Sequence, residues 1–202
     1  MLRNKKEILK EEEFVMQEWN KKKGLRTALY AVLYAVMTAI VCVFGAIHPV
    51  LFVCYQVTAA VLVSGVVITA FRKLKAPGVA LCLAAGLLLL FVIIGDAVAW
   101  HVIPVIVIAV IAEVVRALTK YSWAGDLIGT VIMSFSSFGY YGQIWFNRDY
   151  TYECAVEEMP AGYADTLMAV SPTWAFALVV IVGVIISVAI SNVTAKIFKL
   201  EK

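Results

Sequence analysis

Eleven polar and aromatic residues carry most of the recognisable chemistry in this chain. Tyr55 and Gln56 open one apolar run. Asp96, Trp100 and His101 flank the junction of two others. Tyr140, Tyr141, Gln143 and Trp145, with Arg148 and Asp149 just beyond, close a further run. A polar group left unpaired at membrane depth costs several kcal/mol, so it persists only when a protein group, water or ligand satisfies it. Aromatic faces to stack on, with a few amides and charges to orient, suit a pocket for a small solute. An interfacial aromatic belt with ordinary interhelical hydrogen bonds is the other reading. Trp100, Trp145 and Trp174 suit the belt, whereas the Tyr140-Tyr141-Gly142-Gln143 run suits the pocket better.

Other chemistries lack parts. No HExxH, GxSxG or P-loop occurs, and no pair of carboxylates lies within one apolar run. The expectation is a protein that is not an enzyme, with no cofactor, no catalytic residue and no metal. Glu113 has Arg116 three residues on, which suits a structural ion pair at the end of a helix. Asp126 falls where a helix N-terminus favours a carboxylate. The cysteines Cys42, Cys54, Cys82 and Cys154 form no CxxC, and a disulfide between Cys54 and Cys154 stays open.

The elements that must position these residues follow from composition. Of 202 residues, 63% are hydrophobic and 15% charged. Soluble domains average about 25% charged residues. The charges cluster between apolar runs of spanning length. Continuous runs rather than short alternating strands call for helices, because a backbone in hydrocarbon must bond to itself. The expected fold is an all-α integral membrane bundle of six spans, near 25–47, 50–71, 79–100, 101–118, 124–146 and 174–198. Pro104 is expected in the first turn of the fourth span. Residues 1–24 are expected to form a charged cytoplasmic leader, either an amphipathic helix lying on the inner leaflet or a solvated tail. Residues 25–202 form one transmembrane domain with an outer loop over 147–173.

Charge distribution sets the orientation. With the N-terminus cytoplasmic, sixteen of the 17 Lys and Arg fall inside and only Arg148 falls outside. The positive-inside rule then places both termini in the cytoplasm. The net charge of +3 is no argument for nucleic acid, and none is expected as a partner. The expected location is the bacterial cytoplasmic membrane, with lipid as solvent.

Ala31, Ala35 and Ala39 recur every four residues and so share one helix face. Small residues at this spacing let another helix approach closely in lipid. That helix belongs either to the chain's own bundle or to a partner.

Several stretches carry a family resemblance. They are the alanine face on the first span, Ile111-Ala-Glu113-Val-Val-Arg116 with Tyr121-Ser-Trp, Phe138-Gly-Tyr-Tyr-Gly142 with Trp145, Arg148-Asp149, and Tyr163-Ala-Asp165. With six spans in about 200 residues and a basic leader, the chain resembles the substrate-binding S components of energy-coupling factor (ECF) transporters. It is most similar to their Trep_Strep, or MptD-like, branch. The resemblance implies a subunit that captures a small micronutrient at the outer face. It also implies partners, a transmembrane T component and two cytoplasmic ATPases, with Ala31, Ala35 and Ala39 docking on the T component. Two other classes stand beside it: a stand-alone secondary transporter or small channel, and a membrane scaffold without transport.

Overall fold

A computed structural model describes residues 19–201. Most of the expected leader therefore lies outside the described residues. Among the described residues every regular element is helical. The chain runs through α1 (Lys21–Ile47), α2 (Pro49–Val53), α3 (Tyr55–Leu74), α4 (Val79–Ile94), α5 (Ala99–Leu118), α6 (Trp123–Met133), α7 (Phe138–Tyr141), α8 (Gln143–Phe146), α9 (Arg148–Glu158), α10 (Tyr163–Val170) and α11 (Thr173–Ile197). Helix α1 begins four residues earlier than expected, where the Asn20 side chain accepts from the Lys23 amide at 2.9 Å and caps it.

Four of these helices, α1, α3, α5 and α11, are long and apolar enough to cross a membrane. Helix α4 is apolar but only 16 residues long. At about 1.5 Å per residue it falls short of a hydrocarbon core of about 30 Å. The expected third span stops at Ile94 because Gly95 adopts φ 78, a left-handed conformation that suits glycine. The Asp96 amide then donates back to the Phe91 carbonyl at 2.8 Å and closes the helix end.

The expected fifth span is not one helix. It breaks after Met133, where Phe135, Ser136 and Phe138 amides bond three residues back instead of four. The hydroxyls of Ser134 and Ser136 donate to the carbonyls of Val131 and Met133, both at 2.7 Å, so these buried side chains are themselves satisfied at the break. Pro104 also sits deeper than expected, at the sixth position of α5. Its missing N–H leaves the Trp100 carbonyl without its helical donor. Gly139 packs against that carbonyl, and a Cβ there would collide with it. Proline on α5 and glycine on α7 thus make one close helix contact. The stretch expected as a loop, 147–173, holds helices α9 and α10.

Two clusters of buried side chains divide the interior. One gathers α1, α3, α4 and α5 around Val67, Phe71, Leu83 and Leu87. The other lies towards the opposite end, around Phe52, Tyr55, Tyr141 and Leu167. Along α11, Ala175, Val179, Gly183, Ser187 and Ser191 are buried four apart, and the Ser187 and Ser64 hydroxyls meet at 2.8 Å. Small residues at this spacing seat α11 on α3.

One end of the bundle is basic and stitched by ions. Asp126 is fully buried; its Oδ1 accepts from Arg116 Nε at 2.8 Å and its Oδ2 from Arg72 Nη1 at 2.9 Å. Glu113 accepts from Arg116 Nη1 at 2.9 Å and from the amides of Gly78 and Ala80 at 2.8 and 3.0 Å. The Arg116 guanidinium also lies 3.8 Å from the Phe71 ring centre. The Glu113–Arg116 pair is present as expected. Asp126 does more than stabilise a helix start: it joins α3, α5 and α6. The four cysteines are free thiols, so Cys54 and Cys154 are not bridged.

Candidate functional site

The opposite end carries the acids Asp96, Asp149, Glu153, Glu157, Glu158 and Asp165. Helices α9 and α10 cap it. Arg148, at the start of α9, holds the far end of α10. Its Nη2 donates to the Met168 carbonyl at 2.6 Å, and its Nη1 donates to the Ser171 carbonyl at 2.8 Å. The Tyr152 hydroxyl donates to Asp165 at 3.0 Å and ties the two cap helices together. Tyr163 anchors the cap to α1 by donating to the Gly45 carbonyl. Burial pushes the Tyr163 phenol up to about 12, so it remains a neutral donor at physiological pH.

Beneath the cap is a cavity of about 350 Å³, walled by Phe52, Asp96, His101, Tyr140, Tyr163 and Glu158 among others. A second, more apolar cavity of about 330 Å³ lies between α1 and α4. Thr38, Cys42, Leu87 and Phe91 line it, with Asp96, Ser137 and Tyr140. Asp96 and Tyr140 line both, so the two chambers adjoin across them.

The wall is aromatic. The Tyr140 ring meets Phe52, His101 and Tyr55 with centres 5.2, 5.3 and 6.0 Å away, edge to face in each case. His101 Nδ1 lies 3.0 Å from Asp96 Oδ1, which fixes both side chains. Among the described residues, Asp96 Oδ2, the Tyr140 hydroxyl and the Glu158 carboxylate have no hydrogen-bond partner.

The structure sorts the eleven sequence-derived residues into three sets. Asp96, His101, Tyr140 and Gln143 line the chamber under the cap. Tyr55, Gln56 and Tyr141 are buried one layer deeper and satisfy one another's neighbourhood. Tyr141 donates to Gln56 Oε1, Gln56 Nε2 donates to Ser134 Oγ at 3.0 Å, and the Tyr55 ring stacks on Tyr141 at 4.7 Å. This layer backs the wall of the site through the contact of Tyr55 with Tyr140. Trp100, Trp145, Arg148 and Asp149 lie elsewhere. Trp100 is 62% exposed on the bundle surface. Trp145 Nε1 donates to the Pro172 carbonyl at 3.3 Å. Arg148 is the cap's clamp, and Asp149 shares an outlying cleft with it.

Sequence reasoning missed Phe52, Phe91, Cys154 and Glu158. For the cap there was a signal: Thr151, Cys154, Ala155 and Glu158 follow helical spacing and all face the cavity. Among the described residues no group of His, Cys, Asp and Glu is arranged to hold a metal ion.

The alanine face also divides. Ala31 is buried against Gly86 of α4, where any Cβ at 86 would lie 2.9 Å from the Ala31 Cβ. Ala35 and Ala39 instead line an apolar groove between α1 and α4, with Val32, Ile40, Leu89 and Ile93.

Long apolar helices, a short apolar helix and a capped polar end define a multi-pass α-helical integral membrane protein. A family model described as "Hypothetical bacterial integral membrane protein (Trep_Strep)" matches residues 22–200, and the chain belongs to that family. No curated protein and no solved structure matches it.

Proposed function

We propose that the protein is the solute-capturing membrane subunit of an ATP-driven micronutrient importer of the ECF type. It sits in the bacterial cytoplasmic membrane as six crossings, counting α4 and the broken α6–α8 segment as two of them. Both termini face the cytoplasm, and the acidic end faces outward, in line with the positive-inside distribution of Lys and Arg. The observation that carries this reading is the pair of adjoining chambers beneath the α9–α10 cap, meeting at Asp96 and Tyr140. Asp96 Oδ2, the Tyr140 hydroxyl and the Glu158 carboxylate have no hydrogen-bond partner among the described residues and are open to solvent, so a captured solute could bond to them in place of water.

Nothing in the sequence suggests hydrolysis of ATP, so energy comes from partners: a T component and two cytoplasmic ATPases. Ala35 and Ala39 line a groove open to another helix, which supports α1 as the docking face. The solute is held by binding alone, without a cofactor, a metal or covalent chemistry. Trp100 and Trp145 then serve as interfacial anchors rather than as ligands.

Affinity purification of the tagged protein from crosslinked native membranes tests the assembly. Recovery of a T component with two ATPase chains is the expected result. Gradient-driven flux in liposomes holding this protein alone would instead support a secondary transporter. Recovery of neither partners nor flux would leave the scaffold reading.

A further inference from the structure

The charges around the chamber under the cap are of one sign. Asp96 and Glu158 line it, and no Lys or Arg does. Arg148 is the one Lys or Arg at this end among the described residues, and its guanidinium is committed to the carbonyls of Met168 and Ser171. Every other Lys and Arg of the described chain sits at the far end or in its connectors. An anionic solute would therefore enter a chamber with no counter-charge and face repulsion from both carboxylates.

A cation meets the reverse situation. Asp96 Oδ2 and the Glu158 carboxylate are unpaired among the described residues. The rings of Phe52 and Tyr140, already edge to face, and of Tyr163 form walls whose electron-rich faces attract a positive charge. His101 is tied to the other oxygen of Asp96 and so orients the carboxylate. The second chamber, beyond Asp96 and Tyr140, is walled chiefly by Leu87, Leu90, Phe91, Val43 and Cys42. Apart from Asp96 at the junction it offers no charged group, but ample apolar surface.

We propose that the captured solute is a small organic cation with an apolar body. Its amine or quaternary nitrogen rests between Asp96 and Glu158 against the Tyr140 ring, and its body extends into the chamber between α1 and α4. The excess of acids at this end draws cations towards the mouth. This inference rests on the capture reading above and adds the chemical class of the solute.

Three probes of one shape separate the classes: 4-phenylbutylamine, 4-phenylbutanol and 4-phenylbutyrate. Each is titrated by calorimetry into the purified full chain in nanodiscs, with empty nanodiscs as reference. The amine is expected to bind saturably, about tenfold or more tighter than the alcohol, with the carboxylate weakest. The double variant Asp96→Asn with Glu158→Gln should bring the amine to the level at which the same variant binds the alcohol. An unaltered melting curve and elution profile would show that the variant is folded.

Equal binding of amine and carboxylate, or no saturable amine binding, overturns the cation proposal. So does a folded double variant that binds the amine as tightly as wild type. If the carboxylate or the alcohol binds saturably instead, the capture reading stands and only the charge class falls. If no probe binds and no native compound co-purifies, both fall.

Discussion

The Tyr141 hydroxyl donates to Gln56 Oε1 across 85 residues of sequence, with both side chains sealed from solvent. Its neighbour Tyr140 turns its hydroxyl to the cavity wall and bonds to nothing among the described residues. Two adjacent tyrosines thus have different work. Tyr141→Phe strands a buried amide oxygen and should cost about 1–3 kcal/mol. Tyr140→Phe removes a hydroxyl that stabilises nothing internal and should shift stability by less than about 0.5 kcal/mol. Thermal unfolding in matched detergent reads the difference, and similar melting temperatures for the two variants would refute the assignment.

At the basic end, Asp126 pairs with two arginines at once. Asp126→Asn keeps the shape but removes the charge that Arg72 and Arg116 share, leaving Glu113 to pair with Arg116. Breaking a buried pair from one side costs about 3–5 kcal/mol. The expected outcome is poor recovery of monodisperse protein, where Glu153→Gln on the exposed cap serves as a neutral control. Normal yield and melting of the Asp126 variant would show that the network is not structural.

Arg148 holds the end of α10 through a planar fork that reaches two carbonyls. Lysine has the charge but not the fork. Arg148→Lys should therefore loosen the cap while leaving the bundle intact. Hydrogen exchange is the check: amides of residues 163–171 should exchange at least several-fold faster, with α3 and α11 unchanged.

The alanine face makes a paired expectation. Ala31→Leu forces bulk against Gly86 inside the bundle and should destabilise the fold by about 1–3 kcal/mol. Ala39→Leu fills part of a groove that is open in this chain and should leave folding nearly unchanged. If α1 docks on a T component, Ala39→Leu reduces co-purification of partners; because Ala39 also lines the chamber between α1 and α4, solute binding is measured on the same variant. Undiminished assembly of the Ala39→Leu variant would argue for a groove filled by lipid.

Much of this architecture was legible in the sequence because hydrophobic length and charge placement act over whole segments. The helices beginning near Lys21, Tyr55, Ala99 and Thr173 follow from that signal alone. The break after Met133 was not legible. The run from 124 to 146 is continuously apolar enough to suggest one helix, and only the serines at 134, 136 and 137 mark where it turns. The cap helices were hidden for the opposite reason: a polar stretch with a few apolar positions looks like a loop until a surface exists for it to cover. The site residues show the same limit. Sequence identified Asp96, His101 and Tyr140 by rarity, but rarity does not tell a residue that lines a chamber from one buried behind it. Arg148 looked like a ligand because it is the sole outer cation, and the backbone carbonyls that occupy it come from residues 20 and 23 positions away.

The central claim is that the two chambers under the cap hold a solute. Mass spectrometry of small molecules released from the protein, purified from native membranes in mild detergent, addresses it most directly. One organic compound in near-stoichiometric amount, enriched over an unrelated membrane protein prepared alongside, is the result expected. Lipid and detergent alone, from protein that remains folded and retains its cap, would contradict the account.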